Sequence, residues 1–160
     1  MQAPQVRDLL DYYDTKYVLL ICQQLDPASF SQTLAPSLEG FESVLIHDAS
    51  RPLVAPEQFE RVFSSFAENT DAVRPATAFT ETLKILGPDS EIKGTLDRNS
   101  VKRISTPELI RTSAISISGE DTGWFLPLKE GAHTEYVEGS ALGLRVNAKA
   151  DRDLMELFLD

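Results

Sequence analysis

Ser43-Val44-Leu45-Ile46-His47-Asp48-Ala49-Ser50-Arg51-Pro52-Leu53-Val54 is the stretch whose reading decides the fold. Residues 43–48 are a short apolar run ending in a charged residue, which reads as a buried strand. Pro56 then opens a segment that carries Phe59, Val62, Phe63 and Phe66 on one helical face. Strand, polar loop and helix in that order form the repeating unit of an open α/β sheet. Ligands of such sheets bind beyond the carboxyl ends of the strands. Asp48 is expected at such an end.

The same alternation extends both ways. Upstream, Val6, Leu9, Leu10, Tyr13 and Tyr17 share one helical face, opposite Arg7, Asp8, Asp11 and Asp14. The run Tyr17–Cys22 then reads as a strand buried on both faces, and Pro27, Pro36 and Pro127 read as breaks in loops. Downstream, Asp71–Ala78 reads as a strand. Residues 81–86 and 91–96 pair as a hairpin around Gly87-Pro88-Asp89-Ser90. Further strands are expected at Ile115–Ser118, Thr134–Glu138 and Leu142–Val146. Asn147 is expected to cap a closing helix that carries Leu154, Leu157 and Phe158. The fold class is therefore α/β, with a mainly parallel open sheet and a projecting hairpin arm, in one domain over residues 1–160.

Composition narrows the function. The chain has 160 residues, of which 42% are hydrophobic and 25% charged, the balance of an ordinary globular domain. Its net charge of -10 argues against nucleic acid or an anionic membrane as partner, so a phosphate ligand must be gripped locally. Cys22 is the single cysteine, which rules out an intrachain disulfide and a cysteine metal cluster and points to the cytoplasm. No apolar run approaches the roughly 18 residues of a membrane span.

The segment from Leu45 to Val54 is followed in order by Glu81-Thr82-Leu83-Lys84, Thr95-Leu96-Asp97-Arg98-Asn99, Thr106-Pro107-Glu108 and Val137-Glu138-Gly139. With this series, the chain resembles the 2-C-methyl-D-erythritol 4-phosphate cytidylyltransferase family over about residues 43–160. The resemblance implies a nucleotide-diphospho-sugar transferase-like, Rossmann-like architecture. It also implies CTP and a sugar-alcohol phosphate as substrates, magnesium as cofactor, and a homodimer joined through a hairpin arm at about residues 82–106. Carried over residue by residue, it places Asp48 at the reacting phosphates and the magnesium ion, with Ala49 and Ser50 beside the nucleotide. Arg51, Thr82, Thr106 and Arg145 contact the acceptor, and Arg98 reaches the acceptor phosphate of the neighbouring subunit.

The family's first β-α unit and glycine-rich loop have no counterpart in these residues, whose eight glycines never form Gly-x-Gly. Glu81, Glu108 and Gly143 stand where aspartate, glutamine and asparagine are usual, and Asp121-Thr122-Gly123 replaces Thr-Asp-Glu. These departures leave the acceptor open between methylerythritol phosphate and ribitol phosphate. They also set a rival reading beside the enzyme: a non-catalytic homologue that binds a sugar phosphate or serves as a structural dimer subunit. Blander roles compete at single residues as well. A strand-terminal Asp commonly makes a turn, an exposed Arg is commonly solvated, and Thr82 fits a plain strand position. His47 reads as structural, and Trp124-Phe125 as a packed loop.

Overall fold

The computed structural model describes residues 3–14, 16, 18, 20, 26–117 and 126–159. It divides into two compact units, one of residues 1–40 and 115–129, the other of 41–114 and 130–160. The strand expected at Tyr17–Cys22 lies largely outside the described residues, as do Asp121-Thr122-Gly123 and Trp124-Phe125.

In the first unit, helix α1 (Ala3–Tyr12) matches the expected amphipathic segment. Helix α2 (Pro27–Leu38) was not foreseen, because Pro27 and Pro36 read as breaks. The Asp26 carboxylate accepts the Ser29 N–H at 2.9 Å and Pro27 occupies the first turn, so the segment 26–29 starts a helix. Pro36 falls in the last turn, where it forfeits little of the ladder. The strand expected at Ile115–Ser118 reduces to an isolated bridge between Ile115 and Leu128.

The second unit carries the sheet: β1 (Ser43–Ile46), β2 (Ala72–Ala78), β5 (Lys102–Ile104), β6 (Glu108–Arg111) and β7 (Thr134–Glu138). Helix α3 (Pro56–Ser64) links β1 to β2, and β3 (Lys84–Leu86) pairs with β4 (Ile92–Thr95) in a separate two-stranded sheet. This is the expected hairpin. Its Ile85, Leu86 and Ile92 are exposed.

β1, β2 and β7 run the same way, as a strand-helix-strand crossover requires, but the pairing is mixed rather than mainly parallel. Only β2–β7 is a parallel pair among the described strands, because β5 and β6 run antiparallel along β2 and β6 separates it from β1. β5 and β6 behave as one strand with a bulge. Between the pairs Ala76↔Ile104 and Val73↔Leu109, residues 105–108 lie opposite residues 74–75 only, and the surplus is taken up around Thr106-Pro107. Such bulges re-aim side chains, and this one turns Thr106 toward the end of β1.

Val62, Val73 and Leu109 form the core of this unit, with Leu45, Phe66 and Val137 packed against them. The face of α3 is rotated from the expected one, since Phe63 is exposed and Gln58 is fully buried. The strand expected at Leu142–Val146 does not form. A side chain at Gly143 would meet the Ser105 hydroxyl at 2.8 Å, so the chain passes there as a turn, with Gly143 N–H donating to Ser140 O at 3.1 Å. The closing helix α4 (Lys149–Glu156) is present, but Asn147 does not cap it. Asp151 reaches back from the first turn and accepts the N–H groups of Asn147 and Ala148, both at 2.9 Å.

Candidate functional site

The loop after β1 folds on Asp48. One carboxylate oxygen accepts the Ser50 N–H at 3.0 Å and the Ser50 hydroxyl at 2.6 Å, the short-range pattern by which aspartate closes a turn on its own backbone. The Arg51 N–H returns to Asp48 O at 2.9 Å. The second carboxylate oxygen faces two guanidinium groups, Arg145 Nε at 3.0 Å and Arg51 Nε at 3.5 Å. Arg145 Nε also donates to the Ser50 hydroxyl at 2.9 Å. Asp48 thus makes the expected turn with one oxygen and faces the arginines with the other.

The segment after β7 closes the site. The Val146 N–H donates to Ser50 O at 2.8 Å, and the buried Arg51 donates through a terminal nitrogen to Gly143 O. The bulge supplies the floor. The Thr106 hydroxyl accepts the Asp48 N–H at 3.2 Å and lies 3.2 Å from His47 Nδ1. The hydroxyl has one proton and two lone pairs, so the imidazole tautomer sets which partner donates in that contact. Gln58, on α3, donates to Thr106 O at 2.7 Å and accepts the Ser140 N–H. One fully buried amide thus ties helix, bulge and closing loop together, and the only sequence sign of it was its place one turn into α3.

Electrostatics follow from these bonds. Burial alone would raise the Asp48 carboxyl, but the Ser50 hydrogen bonds and the charges of Arg145 and Arg51 overcome it and hold the group below its ordinary value. Burial lowers His47, reinforced by Arg51 and opposed by Asp48. Burial also lowers Arg51; Asp48 opposes this, while Arg145 and Arg103 push the same way. Two guanidinium groups therefore share one carboxylate, with the charge of a third, Arg103, felt at Arg51, in a chain of net charge -10.

Of the expected site residues, the structure brings Asp48, Ser50, Arg51, Thr106 and Arg145 together, with Ala49 in the same turn. It ties neither Thr82 nor Arg98 to this cluster by a described bond. Thr82 is exposed just before β3, and Arg98, also exposed, donates to Thr80 O at 2.8 Å at the base of the hairpin. The donors do not make a magnesium site by themselves. Among the described residues no group of three His, Cys, Asp or Glu side chains converges; one oxygen of Asp48 is taken by a hydroxyl and an amide, and the other, without a hydrogen-bond partner, faces two arginines.

Sequence reasoning missed a second carboxylate–guanidinium pair. Arg74, on β2, donates through Nε at 2.8 Å and a terminal nitrogen at 2.6 Å to the same oxygen of Glu108, on β6. Glu108 is 0% exposed, and its other oxygen is buried without a hydrogen-bond partner. Burial pushes this carboxyl up despite Arg74.

Comparison with known proteins agrees with the geometry. The family model of 2-C-methyl-D-erythritol 4-phosphate cytidylyltransferase matches residues 27–160. The Stenotrophomonas maltophilia protein of that name is 30% identical over 137 residues, covering 80% of this chain and 59% of its own length. That of Nocardia farcinica is 30% identical over 123 residues, covering 72% of this chain and 53% of its own. The chain therefore spans a little over half the length of these relatives. Among solved structures, 4-diphosphocytidyl-2C-methyl-D-erythritol synthase from Anaerococcus prevotii superposes with a TM-score of 0.72 at 20% identity, over 98% of this chain and 76% of that one. The Thermus thermophilus cytidylyltransferase gives a TM-score of 0.61 at 21% identity, over 79% and 67%. At these identities the superpositions speak to the fold.

Proposed function

From a chain that belongs to the 2-C-methyl-D-erythritol 4-phosphate cytidylyltransferase family, we propose the acceptor side of a cytidylyl transfer site. In the reaction, a phosphate oxygen of methylerythritol phosphate attacks the α-phosphorus of CTP, the bond to the β-phosphate bridging oxygen breaks, and pyrophosphate leaves. Such transfers need little covalent work from the protein, because positioning and cations that offset charge on the phosphate oxygens lower most of the barrier. The observation that carries this reading is the arginine pair on Asp48. One acid holds Arg51 and Arg145, and no described bond uses the terminal N–H groups of the half-exposed Arg145, which suit a phosphate. Asp48 here organises arginines rather than ligating magnesium. Arg98 and Thr82 complete the acceptor site from the hairpin of a second copy, and the protein acts in the cytoplasm as a homodimer.

Pyrophosphate release from CTP, magnesium and methylerythritol phosphate tests the activity. Dependence on Arg51 supports the reading, and release unaltered by Arg51→Gln and Arg145→Gln together counts against it. Sedimentation with and without residues 85–94 tests the dimer, which the shortened hairpin should abolish. The same arrangement also supports a second reading, sugar-phosphate binding without turnover, because the Asp48 oxygen that the turn leaves faces two arginines, which repel a metal cation. Methylerythritol phosphate binding with no pyrophosphate release would select it. Ribitol phosphate in the same assay decides the acceptor.

A further inference from the structure

Among the described strands, β7 ends the sheet on one side. It pairs with β2 alone, residue for residue from Ala72↔Thr134 to Ala76↔Glu138. His133 O accepts the Ala72 N–H and the Gly139 N–H donates to Ala76 O, both at 3.1 Å, so this set of alternate residues turns its backbone groups to β2. Successive residues of a strand point opposite ways, so the N–H and C=O of Thr134, Tyr136 and Glu138 face outward. α3 reports the same direction, because Arg61 Nε donates to Glu138 O at 3.1 Å. No described bond takes the N–H of Glu138 or either backbone group of Thr134 and Tyr136 on that side. Free edges are commonly blunted by Lys, Pro or a bulge, and Thr134–Glu138 has none of these. The two faces beside this edge differ. Toward α3, an open groove of about 550 Å³ is lined by Glu57, Glu60, Val137 and Glu138, with Arg61 as the single basic residue of its lining. Val137 packs on the core beneath α3, and Glu135 shares its face of the strand. On the opposite face Tyr136 is 53% exposed.

We propose that β7 is a docking edge for an extended segment of a basic protein partner, which adds to the sheet as a further strand with Lys or Arg toward α3 and β-branched apolar residues beside Tyr136. The outward backbone groups supply the ladder and hence the affinity, and side chains at alternate positions supply the selectivity. Glu57, Glu60 and Glu135 against Arg61 leave the α3 side negative, which attracts a basic strand and repels an acidic one. An exposed aromatic ring on the other face favours a β-branched neighbour across the strands. A second copy of the chain is the poorer occupant, because β7 set against β7 would gather Glu135 and Glu138 of both copies at one seam. The net charge of -10 draws basic chains to the molecule in general, whereas only a row of free backbone groups selects an extended one.

Fluorescence anisotropy on the full chain tests this with three labelled heptapeptides, of alternating Lys and Val, alternating Glu and Val, and alternating Lys and Pro. The Lys-Val peptide should bind. The Glu-Val peptide, of opposite charge, and the Lys-Pro peptide, of equal charge but without half of its N–H groups, should each bind about tenfold or more weakly. Glu57→Lys with Glu60→Lys, both at exposed positions, should weaken the Lys-Val peptide about tenfold by turning attraction into repulsion. Tyr136→Pro removes an outward N–H and leaves the bonds to β2, so it should weaken the same peptide by a similar factor, with an unfolding curve to confirm the fold. Hydrogen exchange at the Tyr136 and Glu138 amides should slow when the Lys-Val peptide binds to the unaltered chain. Equal affinity for the Lys-Val and Lys-Pro peptides would reduce the edge to a field of charge and overturn the proposal. So would unchanged exchange at both amides, or wild-type affinity in the Glu57→Lys, Glu60→Lys variant. Self-association that Tyr136→Pro abolishes would give the edge to a second copy and overturn it as well.

Discussion

Two carboxylates in the sheet unit meet arginine, and their acidities move in opposite directions. Asp48 is held low and Glu108 is pushed up. Glu108 is the more deeply buried, and burial prevails there over Arg74, whereas at Asp48 the Ser50 hydrogen bonds and two arginine charges outweigh it. At Asp48 one oxygen has two donors from Ser50 and the other faces two guanidinium groups, and the loop around it is open enough for Arg145 to stay 52% exposed. At Glu108 one oxygen takes both bonds from Arg74 and the other has none. The balance of burial against hydrogen bonds and partner charge settles the shift. The loop has the form of a ligand site, with cations to spare, whereas the strand pair has the form of a structural joint between β2 and β6.

The largest effect should come from breaking that joint on one side. Arg74→Ala leaves the Glu108 carboxylate buried and unpaired, and should cost about 3–5 kcal/mol of stability in chemical denaturation. Glu108→Gln keeps an acceptor for Arg74 and brings an amide that can donate, so it should cost much less. Equal losses in the two variants would mean that the pair is not a joint.

Next in size is Gln58→Ala. Loss of the amide leaves Thr106 O and the Ser140 N–H without their partner inside the unit. The expected cost is about 1–3 kcal/mol per buried group left unsatisfied, less what water recovers. Because Gln58 supports the bulge beneath Asp48, phosphate affinity should fall along with stability. A stability loss with intact ligand binding would separate the bulge from the site.

How much of this was legible in the sequence depends on the range of the interaction. The turn at Asp48, the hairpin and α3 were readable because each is decided within a few residues, by an Asp two positions before a Ser, by Gly87-Pro88, and by Pro56 ahead of spaced apolar groups. α2 was equally local, yet its prolines were weighed without Asp26. The failed strand at Leu142–Val146 and the mixed pairing are different in kind. Gly143 packs close to Ser105, which is distant in sequence, and β6 enters between β1 and β2 by pairing that no local pattern announces. Within the site, Asp48, Ser50, Arg51 and Thr106 lie in the motif series, and Arg145 came from the residue-by-residue resemblance. Neither gave any sign of Gln58 or Arg74, whose roles depend on partners across the sheet.

Titration offers a finer test of the comparison. Glu108, raised in the folded state, contributes stability that is fully present below about pH 4.5 and is lost as pH rises through its folded value. Asp48, lowered, contributes stability that is present above about pH 3.8 and is lost as pH falls through its folded value. His47, also lowered by burial, favours the fold above about pH 6.5 and costs stability as pH falls below it. Denaturation midpoints taken from pH 7 toward pH 4 should therefore differ between wild type and Glu108→Gln, with the variant losing the part that rises on acidification. Parallel curves would place the Glu108 acidity at its ordinary value.

The smallest effect on stability belongs to the residue with the largest expected effect on binding. Arg145 lies 3.0 Å from Asp48, but half of its side chain is exposed, so solvent screens the pair. Asp48 keeps Ser50 and Arg51 when Arg145 is removed, and no buried charge is left alone. Arg145→Ala should therefore change stability by no more than about 1 kcal/mol, the range of exposed ion pairs. A phosphate held by its terminal N–H groups loses a charged donor in the same variant, which should weaken methylerythritol phosphate by about tenfold or more. That divergence is expected of a cation stationed for a ligand, whereas one serving the fold would show the reverse. Paired calorimetry and denaturation of the one variant decide between the two, and a stability loss as large as that of Arg74→Ala, with unchanged binding, would make the Asp48 cluster a second structural joint.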